Sequence, residues 1–126
     1  MDIHGKGLTP AQWSLMECLW EAKSLTGREA TQAMEEKMGW NRSTTLTLLR
    51  RMEEKGFIKS ASKGGTKMFT PLLQREDAVL QETEHFLERV YRGSLSMMVS
   101  AMTHKKSLSQ EEIQSLHALL DDMEEK

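Results

Sequence analysis

Thirty residues in the middle of the chain, Asn41 to Thr70 (NRSTTLTLLRRMEEKGFIKSASKGGTKMFT), leave few folds open. Asn41 is a strong N-cap, because its side-chain oxygen can accept from the free N–H groups of a first helical turn. Thr45, Leu48, Leu49 and Met52 then recur at 3-1-3 spacing, one buried stripe on a helix. Gly56 ends that helix, and Lys55 in its last turn complements the dipole. Strands are expected over Phe57 to Ser62 and Lys67 to Thr70, around Lys63-Gly64-Gly65-Thr66. The two glycines supply the positive φ that a tight hairpin needs. A capped helix running directly into a two-stranded ribbon predicts a winged helix-turn-helix.

The segment before it supplies the other helices of such a head. Thr9 is a good N-cap and Pro10 suits the first helical position, followed by an apolar face of Trp13, Met16, Leu19 and Trp20. Thr26-Gly-Arg-Glu29 is a capping box that opens a second helix. Ala30, Ala33, Met34 and Met38 form its inner face, and Gly39 ends it. A short strand near Leu25 is expected as a third edge. Trp13, Trp20 and Trp40 are expected to pack the small domain, and Cys18 to be buried and inert.

After Pro71 the pattern changes. A long helix is predicted from about Arg75 to Thr103, with Leu80, Leu87, Tyr91, Leu95, Met98 and Met102 at spacings of 7, 4, 4, 3 and 4. Val79, Phe86 and Val90 widen this stripe. A last helix, capped by Ser109 with Glu112, carries Ile113, Leu116, Leu119, Leu120 and Met123. Two such helices have too little apolar surface to cover each other's stripes. A second copy would cover them, and twofold dimers are the commonest closed assembly. The expected architecture is mainly α with a small β-hairpin wing. Residues 1–71 form the winged helix-turn-helix head and residues 72–126 the C-terminal helical dimerisation arm. Dimerisation residues are Leu87, Tyr91, Leu95, Met98, Met102, Ile113, Leu116 and Leu120.

Charge separates the two parts. Net charge is −2, yet residues 1–70 carry 11 basic and 8 acidic side chains, whereas 71–126 carry 6 and 11. From Arg42 to Lys67 seven Lys or Arg face only Glu53 and Glu54. A basic patch of this kind is the footprint of a polyanion partner. In helix-turn-helix proteins the N-terminal half of the second helix of the pair enters the major groove. Arg42, Ser43, Thr44 and Thr47 there offer a guanidinium and hydroxyls to bases or phosphates, and Leu46 could meet a thymine methyl or join the core. Arg50, Arg51, Lys59, Lys63 and Lys67 suit the phosphate backbone. The competing expectation is a winged module that binds protein, which would not need such a concentration of bases.

Other chemistry is poorly supplied. His4, His85, His104 and His117 have no metal-ligand spacing; Glu82-x-x-His85 is a single copy of a pattern that di-iron bundles need twice. One cysteine excludes an internal disulfide, and there is no phosphate loop or nucleophile elbow. No cofactor or metal is expected, and no enzyme. Without a signal-like start or a membrane-length apolar run, the expected location is cytoplasmic.

Four segments in order, LTPAQWSLMECLW, NRSTTLTLLRRMEEKGFI, YRGSL and SLSQEEIQSL, resemble the penicillinase-repressor (BlaI/MecI/CopY) family from about Leu8 to Met123. The resemblance implies a homodimeric winged-helix repressor of resistance or peptidase genes, bound to double-stranded DNA at palindromic operators. In the β-lactam branch a membrane sensor peptidase triggers cleavage in the dimerisation helix, between Asn and Phe. The corresponding bond here is Ala101–Met102. The copper-responsive branch carries Cys-x-Cys pairs at its C-terminus, and this chain ends HALLDDMEEK without cysteine.

Overall fold

The computed structural model describes residues 7–105 and 107–125, which divide after His85 into two compact units. The elements are α1 (Pro10–Ala22), β1 (Leu25–Thr26), α2 (Gly27–Met38), α3 (Arg42–Glu54), β2 (Ile58–Lys63), β3 (Thr66–Pro71), α4 (Arg75–Tyr91), α5 (Leu95–Lys105) and α6 (Gln110–Glu124). His4 lies outside the described residues.

Each head helix starts where its cap stands. The Thr9 hydroxyl accepts from the Gln12 N–H and the Gln12 side chain answers the Thr9 N–H, a capping box. Thr26 and Glu29 repeat the device on α2, while Asn41 Oδ1 accepts from Thr44 N–H at 2.8 Å on α3. Gly39 closes α2 in the left-handed conformation. The hairpin is longer than expected: the strands run on to Lys63 and from Thr66, leaving Gly64 and Gly65 alone at the tip with φ of 58° and 80°. Both central residues at positive φ match the primed turns that follow strand twist. The expected third edge is present, for β1 pairs antiparallel with β3, giving the order β1-β3-β2.

One core holds these pieces together. Leu15, Met16 and Leu19 of α1, Ala30 and Met34 of α2, and Thr45, Leu49 and Met52 of α3 are buried with Phe57, Ile58 and Phe69 of the wing. Leu48 is partly buried, and Met38, expected inside, is 48% exposed at the end of α2. Cys18 is buried with Sγ 3.5 Å from Met34 Sδ. Trp13 and Trp20 meet edge to face and pack against the core with Trp40, as expected.

The core continues past the wing into Leu73 and Ala78. Leu72 and Leu73 N–H both donate to Phe57 C=O, and Trp20 Nε1–H donates to Leu73 C=O at 2.8 Å. Arg75 then pairs with Glu17 of α1, Nε to Oε1 at 2.9 Å. The Arg75 guanidinium holds the Glu17 carboxyl below its usual range, and Glu17 raises Arg75 in turn.

The Thr45 hydroxyl is the one buried side-chain polar atom without a hydrogen-bond partner among the described residues. An unsatisfied buried hydroxyl costs about 1–3 kcal/mol. Thr45→Val keeps the β-branched shape and removes that cost, so it should stabilise the head by about 1 kcal/mol. The check is the midpoint of urea unfolding, which should rise with no change in slope. A fall would mean that the hydroxyl has a partner in solution.

The single long helix expected from Arg75 to Thr103 is interrupted at Arg92-Gly93-Ser94. Arg92 and Gly93 take φ of 53° and 86°, and their N–H groups fold back onto Glu88 and Leu87 C=O. Ser94 Oγ then accepts from Met97 N–H and starts α5. The segment YRGSL is therefore a helix stop and a new cap. In the second unit Phe86 and Tyr91 stack edge to face with centroids 6.0 Å apart. None of its described residues is buried.

Candidate nucleic-acid interface

On α3 the buried residues Thr45, Leu49 and Met52 fix which side faces out. At 100° per residue, Ser43, Thr47, Arg50 and Glu54 lie opposite them. Ser43 and Arg50 are exposed and Thr47 partly so. Leu46 sits on the flank, 36% exposed, so it does not belong to the buried core. It lies beside Gly27 at the start of α2.

Among the described residues, open clefts run along this helix. The largest, about 770 Å³, lies between α3, the wing and the start of α2, and is lined by Leu46, Arg50, Glu53, Lys67, Phe69 and Arg28 among others. A second, about 670 Å³, brings Arg42 and Leu46 beside Arg28, Thr31 and Gln32 of α2. The third, about 390 Å³, lies on the far flank and gathers Ser43, Thr44, Thr47 and Arg51 with Trp40. Arg50 and Arg51 are neighbours in sequence but line different clefts.

The wing separates its lysines in the same way. Ser60 pairs with Phe69 and Ser62 with Lys67, so these side chains share the inner face with buried Ile58. Lys59 and Lys63, opposite Thr70 and Thr66, point to the outer face. Lys67 Nζ is 5.5 Å from the Phe69 ring centroid and 3.9 Å from Glu53 Oε1. The other Glu53 oxygen accepts from Ser60 Oγ. Glu53 thus joins α3 to both strands of the wing.

Two residues of this surface were not singled out by the sequence. Arg28 lines two of the clefts, and its position one residue inside the α2 capping box was the available signal. Glu53 had none, because its partners become neighbours only through strand pairing. Among the described residues no three His, Cys, Asp or Glu are grouped to hold a metal, and no helix is long and apolar enough to cross a membrane.

The family model for the penicillinase repressor matches residues 8–122. The chain belongs to that family. It is 26% identical over 121 residues to the methicillin resistance regulatory protein MecI of Staphylococcus aureus, covering 96% of this chain and 98% of the relative. It is 27% identical over 115 residues to the penicillinase repressor of Bacillus licheniformis, covering 91% and 90%. Among solved structures, the DNA-binding domain of the repressor BlaI superposes with a TM-score of 0.52 at 23% identity, over 56% of this chain and 85% of that one. The monomeric form of Bacillus licheniformis BlaI in complex with the blaP half-operator gives the same values. A MarR family protein from Bacillus stearothermophilus superposes with a TM-score of 0.51 at 23% identity, over 98% of this chain and 78% of that one. These likenesses establish the winged-helix fold.

Proposed function

We propose that the protein is a sequence-specific transcriptional repressor that binds a palindromic operator as a homodimer. The observation that carries this is the outward face of α3: hydroxyls at Ser43, Thr44 and Thr47 flanked by Arg42, Arg50 and Arg51, with the wing alongside. A groove reader needs this arrangement, hydrogen-bonding groups for base edges in the middle and cations for phosphates on both sides. Lys59 and Lys63 on the outer wing face extend the cationic surface. The relatives named as penicillinase repressors, and the half-operator bound by BlaI, point the same way.

The second unit is the dimerisation arm in this reading. Leu87, Tyr91, Leu95, Met98 and Met102 lie on α4 and α5, and Ile113, Leu116 and Leu120 on α6, all outside any buried core of a single chain. Relief of repression would come from proteolysis in the arm by a sensor peptidase. The Ala101–Met102 bond lies inside α5, with Met102 62% exposed, so the helix must unwind locally before a peptidase can bind it extended.

The test is a titration of the full chain on a dyad found beside its gene and on random duplex, at several salt concentrations. Half-sites should be centred about 10 bp apart or a multiple of that. Each phosphate contact should add about −0.9 to the slope of log affinity against log salt. No retention on any duplex at low salt would overturn the proposal in favour of a protein-binding module.

A further inference from the structure

The cleft between α3 and the wing contains an acid where a DNA backbone would run. Glu53 lies three residues, nearly one turn, after Arg50 and lines the same cleft. Its two carboxylate oxygens are both engaged, one by Ser60 Oγ on β2, the other by Lys67 Nζ on β3. We infer that Glu53 is a positioning residue that limits backbone binding: it fixes the wing against the reading helix and keeps Lys67 from neutralising phosphate, so that the head does not hold random DNA tightly. The inference rests on the proposed DNA reading of this surface.

Two physical effects act together. A carboxylate beside the path of a phosphate repels it, and a lysine that must leave a carboxylate gains less from a phosphate than a free one does. Both penalties fall on backbone contacts, which are the same for every sequence. The contacts of Ser43 and Thr47 to base edges are untouched by them. Affinity for random duplex and for the operator is therefore lowered by about the same factor, and base contacts alone decide the ratio between them. The wing position is fixed by the same group, since Ser60 and Lys67 lie on the same inner face of the hairpin.

Glu53→Gln is the discriminating variant. The amide oxygen can still accept from Ser60, so the wing stays placed, while the charge that repels phosphate and holds Lys67 is gone. Random-duplex affinity should rise about threefold to tenfold, with a salt slope steeper by about one phosphate contact. Operator affinity should rise by about the same factor, so the operator-to-random ratio stays nearly constant. Lys67→Ala in the unaltered chain should change the slope little; in the Glu53→Gln background it should abolish the gain. Circular dichroism melts of each variant show whether the head is folded. If Glu53→Gln leaves random binding and its slope unchanged, or Lys67→Ala alone costs as much as Arg50→Ala, the inference is overturned. Failure of the unaltered chain to bind any duplex would instead overturn the DNA reading itself.

Discussion

A chain ended after Ser100 should lose about a hundredfold or more in affinity for a dyad operator while keeping its affinity for an isolated half-site. The cut removes the last part of α5 and all of α6. In the single chain no described residue of these helices is fully buried: Met102, Leu119, Leu120 and Met123 are 62%, 62%, 56% and 70% exposed. Apolar stripes of that extent are stable in water only when something covers them. A second copy offers the same stripe, which is what a twofold interface requires. Linking two heads makes the second half-site encounter intramolecular, at an effective concentration near millimolar for a short connection, and this is worth about 10²–10⁴ in avidity. The head core, from Leu15 to Ala78, is complete without the removed residues, so the truncated chain should melt as a folded head. Sedimentation gives the oligomeric state and titration gives both affinities. A truncated form still dimeric at micromolar concentration would sink the assignment of the arm. The same loss is expected from cleavage at Ala101–Met102, which removes nearly the same residues.

Local signals made the head legible in the sequence. Thr9, Thr26 and Asn41 each place a cap by their own side chain, and Gly39 and Gly64-Gly65 mark positions that need positive φ. The stripe of α3 follows from its spacing, and with it the outward set of Ser43, Thr47 and Arg50. The arm was less legible because periodicity alone carried it. Leu87, Tyr91, Leu95 and Met98 keep helical spacing straight through the break, and a single glycine inside such a pattern is weak punctuation. Arg92 carries no sign in its identity that it will adopt positive φ. What the sequence could not show at all is the clasp of Glu53 with Ser60 and Lys67, or that Lys67 and Lys59 face opposite sides of one hairpin. Both depend on strand register, which Ser60 opposite Phe69 fixes only in three dimensions.

Replacing Arg50 or Arg51 with alanine should weaken binding to operator and random duplex alike, and flatten the salt slope by about one contact per head. Replacing Ser43 or Thr47 should instead leave random binding nearly intact and relax preference at particular base pairs, at about 1–3 kcal/mol per lost base contact. The difference follows from where each side chain stands. Ser43 and Thr47 occupy the outward face, where in the proposed reading they would meet base edges of a bound duplex. Arg50 lines the wing-side cleft and Arg51 the cleft beside Trp40, so they would meet the backbones on opposite sides of the groove. Their losses should therefore add in the double variant, despite adjacency in sequence, because they share no partner. Twofold symmetry doubles each effect on the dyad relative to the half-site. Gel-shift titrations of the four single variants and the Arg50/Arg51 pair, on operator and on single-base-altered duplexes, separate these outcomes. Four silent single variants would remove α3 from the interface. A double variant no weaker than either single would mean that both arginines serve one phosphate, contrary to the two clefts they line.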